Sequence, residues 1–322
     1  MAFSEGTVVR EHRGAFAVEV TDGVVLCTLR SKLRKTLIYP TGSGRRQVVE
    51  AVGRLDVIAP VVVGDRVRID RFPDGAGAIE EVLPRRSKLS RLAPGRRMME
   101  QVIIANADQI VLVVSAKDPS PNLRFLDRLL VSAEAGNLTS IICINKMDLW
   151  TPSMSDIRSI YEPVGYQVLG VSAHTGQGVE TLGEVLKDKI SAIAGPSGVG
   201  KTSLLNYLQP GLGLKVREVS QATGKGRHTT SYLAAHKLDR GGLVIDTPGV
   251  REFALWKLLP YELPEMFPEM RPLLNTCRFH NCTHISEPGC AIKQAVLRGQ
   301  ITPERYASFA ALLQETVVPS PY

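Results

Sequence analysis

Residues 195–202 read Gly-Pro-Ser-Gly-Val-Gly-Lys-Thr, the pattern G-x-x-x-x-G-K-T, between an apolar run and a helix-forming stretch. This pattern constrains the fold strongly because it works as a loop between a buried strand and a helix. Its glycines let backbone N–H groups turn towards an anion, and the following helix adds its positive end. The sequence therefore predicts an α/β sheet with a site for the phosphates of a nucleoside triphosphate. The predicted binding residues are Gly195, Pro196, Ser197, Gly198, Val199, Gly200, Lys201, Thr202 and Ser203.

Two side chains of this phosphate loop have predicted roles in chemistry as well as in binding. Lys201 is placed to reach the β- and γ-phosphates, which makes it a candidate catalytic residue. The Thr202 hydroxyl is a candidate ligand of Mg²⁺. The loop alone does not specify the base of the nucleotide.

Residues 102–257 alternate short buried strands with amphipathic helical stretches, which is the pattern of a parallel sheet covered by helices. Ligands of such sheets bind at the carboxyl ends of the strands, where the phosphate loop begins. The predicted strands are Gln109–Ser115, Ser140–Ile144, Gln167–Val171, Ile190–Ala194 and Leu243–Ile245, and the predicted helices include Leu123–Ala135 and Val179–Lys189.

A second motif, Asn145-Lys146-Met147-Asp148, follows a predicted strand and matches N-K-x-D. A carboxylate at position 148 can accept hydrogen bonds from both N1–H and the exocyclic amine of guanine. Adenine offers neither donor, so the same carboxylate would be left as an unpaired charge. Asn145 can brace the loop and contact N7, while the stem of Lys146 can cover the ring. The motif therefore predicts guanine as the base.

A third motif, Ser172-Ala173, ends the next predicted strand. It is similar to the S-A motif of GTPases, whose backbone N–H contacts guanine O6. Loops rich in Ser and Gly are common at this place in α/β folds, so the dipeptide alone carries little weight. Together with Asn145–Asp148 at the end of the neighbouring strand, it predicts a base pocket.

A D-x-x-G motif ends the last predicted strand of the sheet. Its Asp246 is predicted to hold Mg²⁺ through water, and the N–H of Gly249 to contact the γ-phosphate. Upstream, the basic, glycine-rich segment 224–230 ends in two threonines. Either Thr229 or Thr230 is the candidate Mg²⁺ ligand from this segment, and the sequence does not distinguish them.

The residue after D-x-x-G is Val250, where GTPases similar to Ras place the glutamine that orients the attacking water. A valine side chain cannot hydrogen-bond, so intrinsic hydrolysis is predicted to be slow and to be accelerated from elsewhere. His228, in the glycine-rich segment, is the internal candidate for the catalytic residue that positions this water. The alternative is an ordinary exposed loop histidine.

The motifs occur in an unusual order along the chain. A standard GTPase begins with the phosphate loop and ends with N-K-x-D and S-A, whereas here these two precede the phosphate loop. This order, with the strings Gly226–Thr230 and Asp246–Gly249, resembles the circularly permuted ribosome small subunit-dependent GTPase A family. The resemblance covers the whole chain. It implies an OB-fold N-terminus and a zinc-binding C-terminus. It also implies a GTP hydrolase that is stimulated by the small (30S) ribosomal subunit, acts as a late maturation and release factor, and contacts rRNA.

Residues 1–83 read as five or so short strands separated by turns, for example Val24–Leu29 and Asp65–Asp70. An OB-type β-barrel is the economical interpretation, although many small barrels bind no nucleic acid. Residues 1–100 hold 18 Lys plus Arg and 12 Asp plus Glu, so six of the chain's seven net positive charges lie there. This excess indicates an anionic partner, with nucleic acid ahead of a membrane surface, or ordinary solubilising charge.

Changes in composition predict the remaining boundaries. Residues 84–101 are basic and contain proline, which suits a linker or an arm that contacts phosphates. Residues 102–257 form the predicted circularly permuted GTPase domain, and residues 258–322 a small C-terminal domain with helices. The sequence has no apolar run long enough to cross a membrane and no signal-peptide core after Met1. We therefore expect a cytoplasmic protein without a membrane partner. We also expect it to be a monomer.

Cys277, Cys282, His284 and Cys290 lie within 14 residues of one another. Three thiolates and one imidazole form the closed tetrahedral ligand set of a structural Zn²⁺ site, which predicts one zinc ion per chain. His280 is a competing ligand, and reduced structural cysteines are the alternative to a metal. The segment is rich in proline and lacks a large apolar core, so metal binding would supply much of its folding energy.

Three functions are compatible with these observations. The first is a GTP hydrolase that acts with Mg²⁺ as a timing switch on the small ribosomal subunit. The second is an RNA-binding module whose GTP site regulates affinity and has little catalytic role, which Val250 keeps open. The third is an enzyme that uses ATP, which the carboxylate of Asp148 disfavours.

Overall fold

Five strands near the N-terminus close into a barrel in the computed structural model, which describes residues 3–38, 51–54, 59–93, 99–152, 156–212, 235–247 and 258–317. The strand order around the barrel is β1-β2-β3-β7-β6, and the two strands outside it, β4 and β5, pair antiparallel. The first seven strands are β1 (Phe3–His12), β2 (Ala15–Val20), β3 (Gly23–Leu29), β4 (Lys35–Ile38), β5 (Ala51–Arg54), β6 (Arg66–Arg71) and β7 (Gly77–Val82).

The barrel interior is filled by alternate side chains of its strands. In β2 the pattern of buried and half-buried residues has a period of two, as expected for a strand with one face inward. Most of the buried side chains are aliphatic or aromatic, so the barrel is a packed core and not a channel. Its core includes Val8, Phe16, Val18, Val67, Ile69 and Ile79.

A strand pair joins the barrel to the rest of the molecule. Strands β8 (Lys88–Leu92) and β9 (Glu100–Ala105) are antiparallel, so the stretch with linker composition contains ordered sheet. The barrel approaches this pair closely, since a Cβ added to Gly64 would lie 1.9 Å from the carbonyl oxygen of Ala105. A residue larger than glycine would therefore separate the two parts.

Two arginines of the basic stretch form ion pairs within the chain. Arg85 contacts the fully buried carboxylate of Asp65 at 2.7 Å. Arg86 contacts Asp108, just before the central sheet, at 2.7 Å. Arg85 therefore anchors this stretch to the barrel, and Arg86 anchors it to the central sheet.

The central sheet has six strands in the order β12-β11-β10-β13-β15-β14. All neighbours are parallel except β14 and β15, which are antiparallel at one edge. Its middle strand is buried along its whole length, as expected for a sheet covered on both faces. The strands are β10 (Gln109–Ser115), β11 (Thr139–Asn145), β12 (Gln167–Gly170), β13 (Ile190–Ala194), β14 (Ala235–Lys237) and β15 (Leu243–Asp246).

Four helices connect these strands and cover the two faces of the sheet. One apolar cluster includes residues of α1 and α2, and a second includes residues of α3 and α4. The helices are α1 (Leu123–Ala135), α2 (Ile157–Tyr161), α3 (Val179–Leu186) and α4 (Lys201–Leu208).

The C-terminal region contains short 3-10 helices and two further α-helices, α5 (Ala291–Leu297) and α6 (Pro303–Val317). Its own apolar core includes Phe267 and Phe309, and Val131 of α1 belongs to the same core. The region is therefore packed directly on the central sheet's first helix. Across the described ranges, none of the helices has both the length and the apolar character needed to cross a bilayer.

Candidate functional site

The phosphate loop lies between β13 and α4, in the predicted strand–loop–helix context. Gly195 and Gly200 have φ angles of 153° and 92°, which disfavour any side chain. A Cβ at Gly195 would lie 2.1 Å from Val113 O, and one at Gly200 would lie 2.3 Å from Asn145 Nδ2. Backbone conformation and close neighbours therefore both require glycine at these two positions.

The ammonium of Lys201 lies across the beginning of the phosphate loop. Its Nζ donates hydrogen bonds to the carbonyl oxygens of Gly195, at 2.7 Å, and Pro196, at 2.8 Å. An ammonium has three donors, so these two bonds leave capacity for one acceptor such as a phosphate oxygen. Burial lowers the pKa of Lys201, and the nearby carboxylate of Asp246 opposes that shift.

The other loop residues differ in exposure. Val199 is buried, Ser197 is exposed, and Thr202 and Ser203 are half-buried in the first turn of α4. The Thr202 hydroxyl is thus on the helix that begins directly after the loop. This is the place expected for a metal ligand beside bound phosphates.

Asn145 joins the base-reading motif to the phosphate loop. Its side chain is buried, and Nδ2 donates to the carbonyl oxygen of Val199 at 2.8 Å. Its Oδ1 accepts from the N–H of Ala173 at 3.1 Å. One amide therefore connects three of the predicted segments of the nucleotide site, namely the base-reading motif, the S-A motif and the phosphate loop.

The Asp148 carboxylate is exposed but oriented by a buried neighbour. Ser172 Oγ donates to Asp148 Oδ1 at 2.5 Å and accepts from the N–H of Thr175 at 3.1 Å. Ser172 itself is fully buried. The serine therefore fixes the direction of the carboxylate while leaving its outer edge open to a ligand.

Lys146 has a left-handed backbone, with φ of 61°, and its Nζ donates to the carbonyl oxygen of Asp118. Asp118 belongs to residues 116–122, the loop between β10 and α1. This loop is also held by Ser115, whose Oγ donates to the carbonyl oxygen of Pro119 at 2.5 Å. A fourth segment therefore lies at the base-reading motif.

Asp246 lies beside the phosphate loop because β15 pairs with β13, with Asp246 opposite Ile193. The following Thr247 is buried, and its Oγ1 donates to the carbonyl oxygen of Ile193 at 2.7 Å. Burial raises the pKa of Asp246, and the charge of Lys201 opposes that shift. Strand pairing thus brings the D-x-x-G aspartate and the loop lysine to one place.

The chemistry of Asp246 suits a hydrated Mg²⁺. Within the part of the chain that the structure describes, its Oδ1 is buried without a hydrogen-bond partner. A carboxylate oxygen in that position is costly unless a cation or a donor meets it. The candidate residues His228, Thr229, Thr230 and Gly249 lie outside the described residues, as does Val250.

Cys277, Cys282, His284 and Cys290 form a cluster whose ligand atoms all lie within 4.8 Å of one another. The Sγ atoms of Cys277 and Cys290 are 4.0 Å apart, and each is 3.5 Å from His284 Nδ1. Tetrahedral Zn²⁺ with Zn–S bonds of about 2.3 Å separates its sulfur ligands by roughly 3.8 Å. The four residues therefore fit a tetrahedral metal ion. The competing candidate His280 is not part of this cluster.

The surroundings of the cluster support its geometry. The N–H of Ala291 donates to Cys277 Sγ at 3.3 Å, and Tyr306 of α6 donates to the carbonyl oxygen of His284 at 2.7 Å. Outer contacts of this kind orient metal ligands. The free state of all three cysteines is also consistent with metal binding.

Comparison with known proteins places this site in a family. The family model described as RsgA GTPase matches residues 82–256, more than half of the chain. The chain belongs to the RsgA GTPase family. The match begins at the end of the barrel and includes every predicted nucleotide motif.

Curated relatives extend the similarity to nearly the whole of this chain. The protein of Gemmatimonas aurantiaca named small ribosomal subunit biogenesis GTPase RsgA is 45% identical over 282 residues, which are 85% of this chain and 92% of the relative. A protein of the same name from Moorella thermoacetica is 38% identical over 315 residues, 97% of each chain.

Solved structures support the fold of this RsgA GTPase family member. YjeQ from Thermotoga maritima matches with a TM-score of 0.73 at 34% identity, covering 98% of this chain and 99% of that one. YloQ, described as a circularly permuted GTPase, matches with a TM-score of 0.69 at 30% identity, covering 100% and 97%. The predicted fold class is confirmed: an N-terminal barrel, a circularly permuted GTPase sheet and a C-terminal region with a Cys/His cluster.

Sequence reasoning did not single out the loop 116–122 or the burial of Arg305. The position of the loop could have been predicted, because it follows a parallel strand and such loops gather at the ligand-binding edge of the sheet. The burial of Arg305 could not, since an arginine in an amphipathic helix ordinarily indicates an exposed face. Here its side chain is only 1% exposed.

Proposed function

We propose that this protein binds GTP and hydrolyses it to GDP and phosphate while it acts as a late maturation and release factor on the small (30S) ribosomal subunit. The observation that carries the proposal is the hydrogen bond from Asn145 Nδ2 to the carbonyl oxygen of Val199. It joins the base-reading motif to the phosphate loop, so that one nucleotide can span both. Membership of the RsgA GTPase family and the names of its relatives support the ribosomal role.

Base selection follows from the oriented carboxylate of Asp148. In our proposal its two oxygens accept from N1–H and the exocyclic amine of guanine, while Ser172 holds the group in place. The Ala173 N–H, which donates to Asn145 Oδ1 at 3.1 Å beside the base-reading motif, is the donor that we assign to guanine O6. An adenine would leave the carboxylate without donors, which is the physical basis of discrimination.

Phosphate binding and charge stabilisation come from the loop and from β15. The backbone N–H groups of Ser197–Thr202 surround the phosphates, and Lys201 supplies a cation to the β- and γ-phosphates. Thr202, Asp246 and one of Thr229 or Thr230 would hold Mg²⁺, with Gly249 at the γ-phosphate. When bound, Mg²⁺ neutralises charge that develops on the phosphate oxygens.

The function is tested by measuring GTP turnover with and without purified small ribosomal subunits. We expect slow turnover alone, because Val250 cannot orient water, and a large increase with subunits. Equal slow rates under both conditions, with GTP-dependent binding to RNA, would instead favour the RNA-binding module whose GTP site only regulates affinity.

A His228→Ala variant is expected to bind GTP normally and to lose most of the turnover stimulated by the subunit. An imidazole can orient the attacking water by a hydrogen bond or accept a proton from it, whereas a methyl group can do neither. Stimulated single-turnover rates and GTP dissociation constants separate the two effects. An unchanged stimulated rate would remove His228 from the mechanism.

We propose that the Cys/His cluster holds one structural Zn²⁺ per chain through Cys277, Cys282, His284 and Cys290. A closed set of four ligands leaves no open position for catalysis. The short helices around the cluster gain folding energy from the metal, so the C-terminal region depends on it.

Zinc analysis of the purified protein is expected to give about one equivalent, and a Cys290→Ser variant much less. The control is Cys27→Ala, a buried barrel cysteine outside the cluster, which should leave the zinc content unchanged. Circular dichroism in a strong chelator should show loss of helix. Less than about half an equivalent of zinc, with helix retained in chelator, would refute the assignment.

The remaining proposals concern organisation and partners. We propose four parts: an OB-fold barrel over 1–83, a basic linker over 84–101, a GTPase domain over 102–257 and a zinc domain over 258–322. We further propose a cytoplasmic monomer that contacts rRNA through its basic N-terminal part, supported by the six net positive charges of residues 1–100.

A further inference from the structure

Arg305 of α6 occupies a buried ionic cluster between the C-terminal region and the central sheet. Its Nε and one terminal nitrogen contact the carboxylate of Glu269 at 2.7 and 3.1 Å. The other terminal nitrogen contacts Asp127 Oδ1 at 2.5 Å, and both Arg305 and Asp127 are 1% exposed. Asp127 belongs to α1, so this contact crosses from one region to the other.

Aromatic rings exclude water from the cluster. The guanidinium carbon of Arg305 lies 4.6 Å from the ring centre of Phe267 and 5.4 Å from that of Tyr161. The Tyr161 hydroxyl also donates to Asp127 Oδ1 at 2.7 Å. Removing one partner of such a desolvated pair leaves the other charge buried and unpaired, which the structure can relieve by moving α1 or α6 or by protonating Asp127, since burial already raises the pKa of that carboxyl.

Helix α1 begins at the base pocket. Its N-cap is Asn122, whose Oδ1 accepts from the N–H of Phe125 at 3.0 Å. The loop just before this cap, residues 116–122, carries the Asp118 carbonyl that accepts from Lys146 of the base-reading motif. Asp127 follows the cap by five residues, so the buried ion pair and the loop are separated by little more than one helical turn.

We propose that Arg305 is a positioning residue for the base pocket. Its ion pair with Asp127 fixes the first turns of α1. The position of α1 in turn fixes the loop 116–122, which accepts the hydrogen bond from Lys146. This inference rests on the proposed GTP site and adds to it a link from the C-terminal region. Purine binding and docking of the C-terminal region then favour the same arrangement of α1, so each strengthens the other.

The test compares the dissociation constants of N-methylanthraniloyl-GDP and N-methylanthraniloyl-ADP for Arg305→Met. Methionine fills much of the volume but cannot pair with Asp127. We expect GDP binding to weaken by about tenfold and ADP binding to change less than twofold, because a shift of Lys146 also shifts Asp148 of the same motif, whose hydrogen bonds only guanine can make. The matched control is Glu315→Gln, which removes the exposed ion pair between Arg128 of α1 and Glu315 of α6. It should change both constants less than twofold.

The stoichiometry of nucleotide binding shows whether Arg305→Met changes the affinity of the site or merely unfolds part of the protein. Partial unfolding lowers the number of sites per chain and leaves both dissociation constants of the folded molecules unchanged. Asp127→Asn provides a second variant that keeps the shape of the side chain and leaves Arg305 paired with Glu269. It should weaken GDP binding by about threefold, in the same direction, with normal stoichiometry.

Unchanged GDP affinity in folded Arg305→Met and Asp127→Asn proteins would overturn the inference, as would equal losses for GDP and ADP. A wild-type protein that binds GDP and ADP equally would instead refute the proposed guanine site. The two failures are therefore distinguishable in one experiment.

Discussion

An Asp148→Asn variant is expected to bind GDP about 100-fold more weakly than the wild type, or worse, and to gain affinity for xanthosine diphosphate. In the proposed site the carboxylate accepts two hydrogen bonds from guanine, each worth roughly 1.5–3 kcal/mol when one partner is charged. In asparagine an NH₂ group replaces one carboxylate oxygen, so a donor then faces the donating exocyclic amine of guanine. Xanthine has a carbonyl in place of that amine, so the amide matches it. Fluorescent-nucleotide titration measures all of these affinities.

The matched control is Asp239→Asn, an exposed aspartate on the turn before β15. It should leave the GDP dissociation constant within twofold of the wild type, because a surface charge away from the site acts weakly. If Asp148→Asn kept wild-type GDP affinity, the base would not be read by this carboxylate.

A Lys201→Ala variant is expected to lose subunit-stimulated GTP hydrolysis by about 100-fold or more. Removal of one preorganised donor to developing transition-state charge typically costs that much in rate. The change also leaves Asp246 in a buried position without the opposing cation, and the pKa of its carboxyl should rise further as a result. Single-turnover hydrolysis with saturating GTP measures the chemical step.

Lys187→Ala serves as the control for this change. Lys187 is exposed at the end of α3, before β13 begins, and so at the opposite edge of the sheet from the phosphate loop. Its hydrolysis rate should match the wild type. A Lys201→Ala protein that hydrolyses GTP at the normal stimulated rate would show that the loop lysine is not used in catalysis.

The central sheet was predictable because each parallel strand is buried on both faces and therefore reads as an apolar run. The predicted strand Ile190–Ala194 agrees with β13 at both ends. The predicted helix Leu123–Ala135 agrees with α1, since Asn122 caps its start and Gly136 ends it. The predicted helix Val179–Lys189 ends earlier, at Leu186, because the chain must turn before it enters β13.

Contacts between distant residues were not predictable from local patterns. Motif chemistry indicated that Asn145 braces the site, but its partners Ala173 and Val199 lie 28 and 54 residues away. The charge of Arg85 was visible in the sequence, whereas its buried partner Asp65 was not. The same is true of Arg305, whose partner Asp127 is 178 residues away. The sequence therefore shows which residues are charged, but it does not show which residues they pair with in the fold.

The measurement that tests the central claim most directly is the ratio of the ADP and GDP dissociation constants of the wild-type protein. The claim is that Asp148 and the phosphate loop belong to one pocket, joined through Asn145. This predicts GDP binding tighter than ADP binding by about 100-fold or more, since adenine leaves the carboxylate unpaired. A ratio near one would contradict the account.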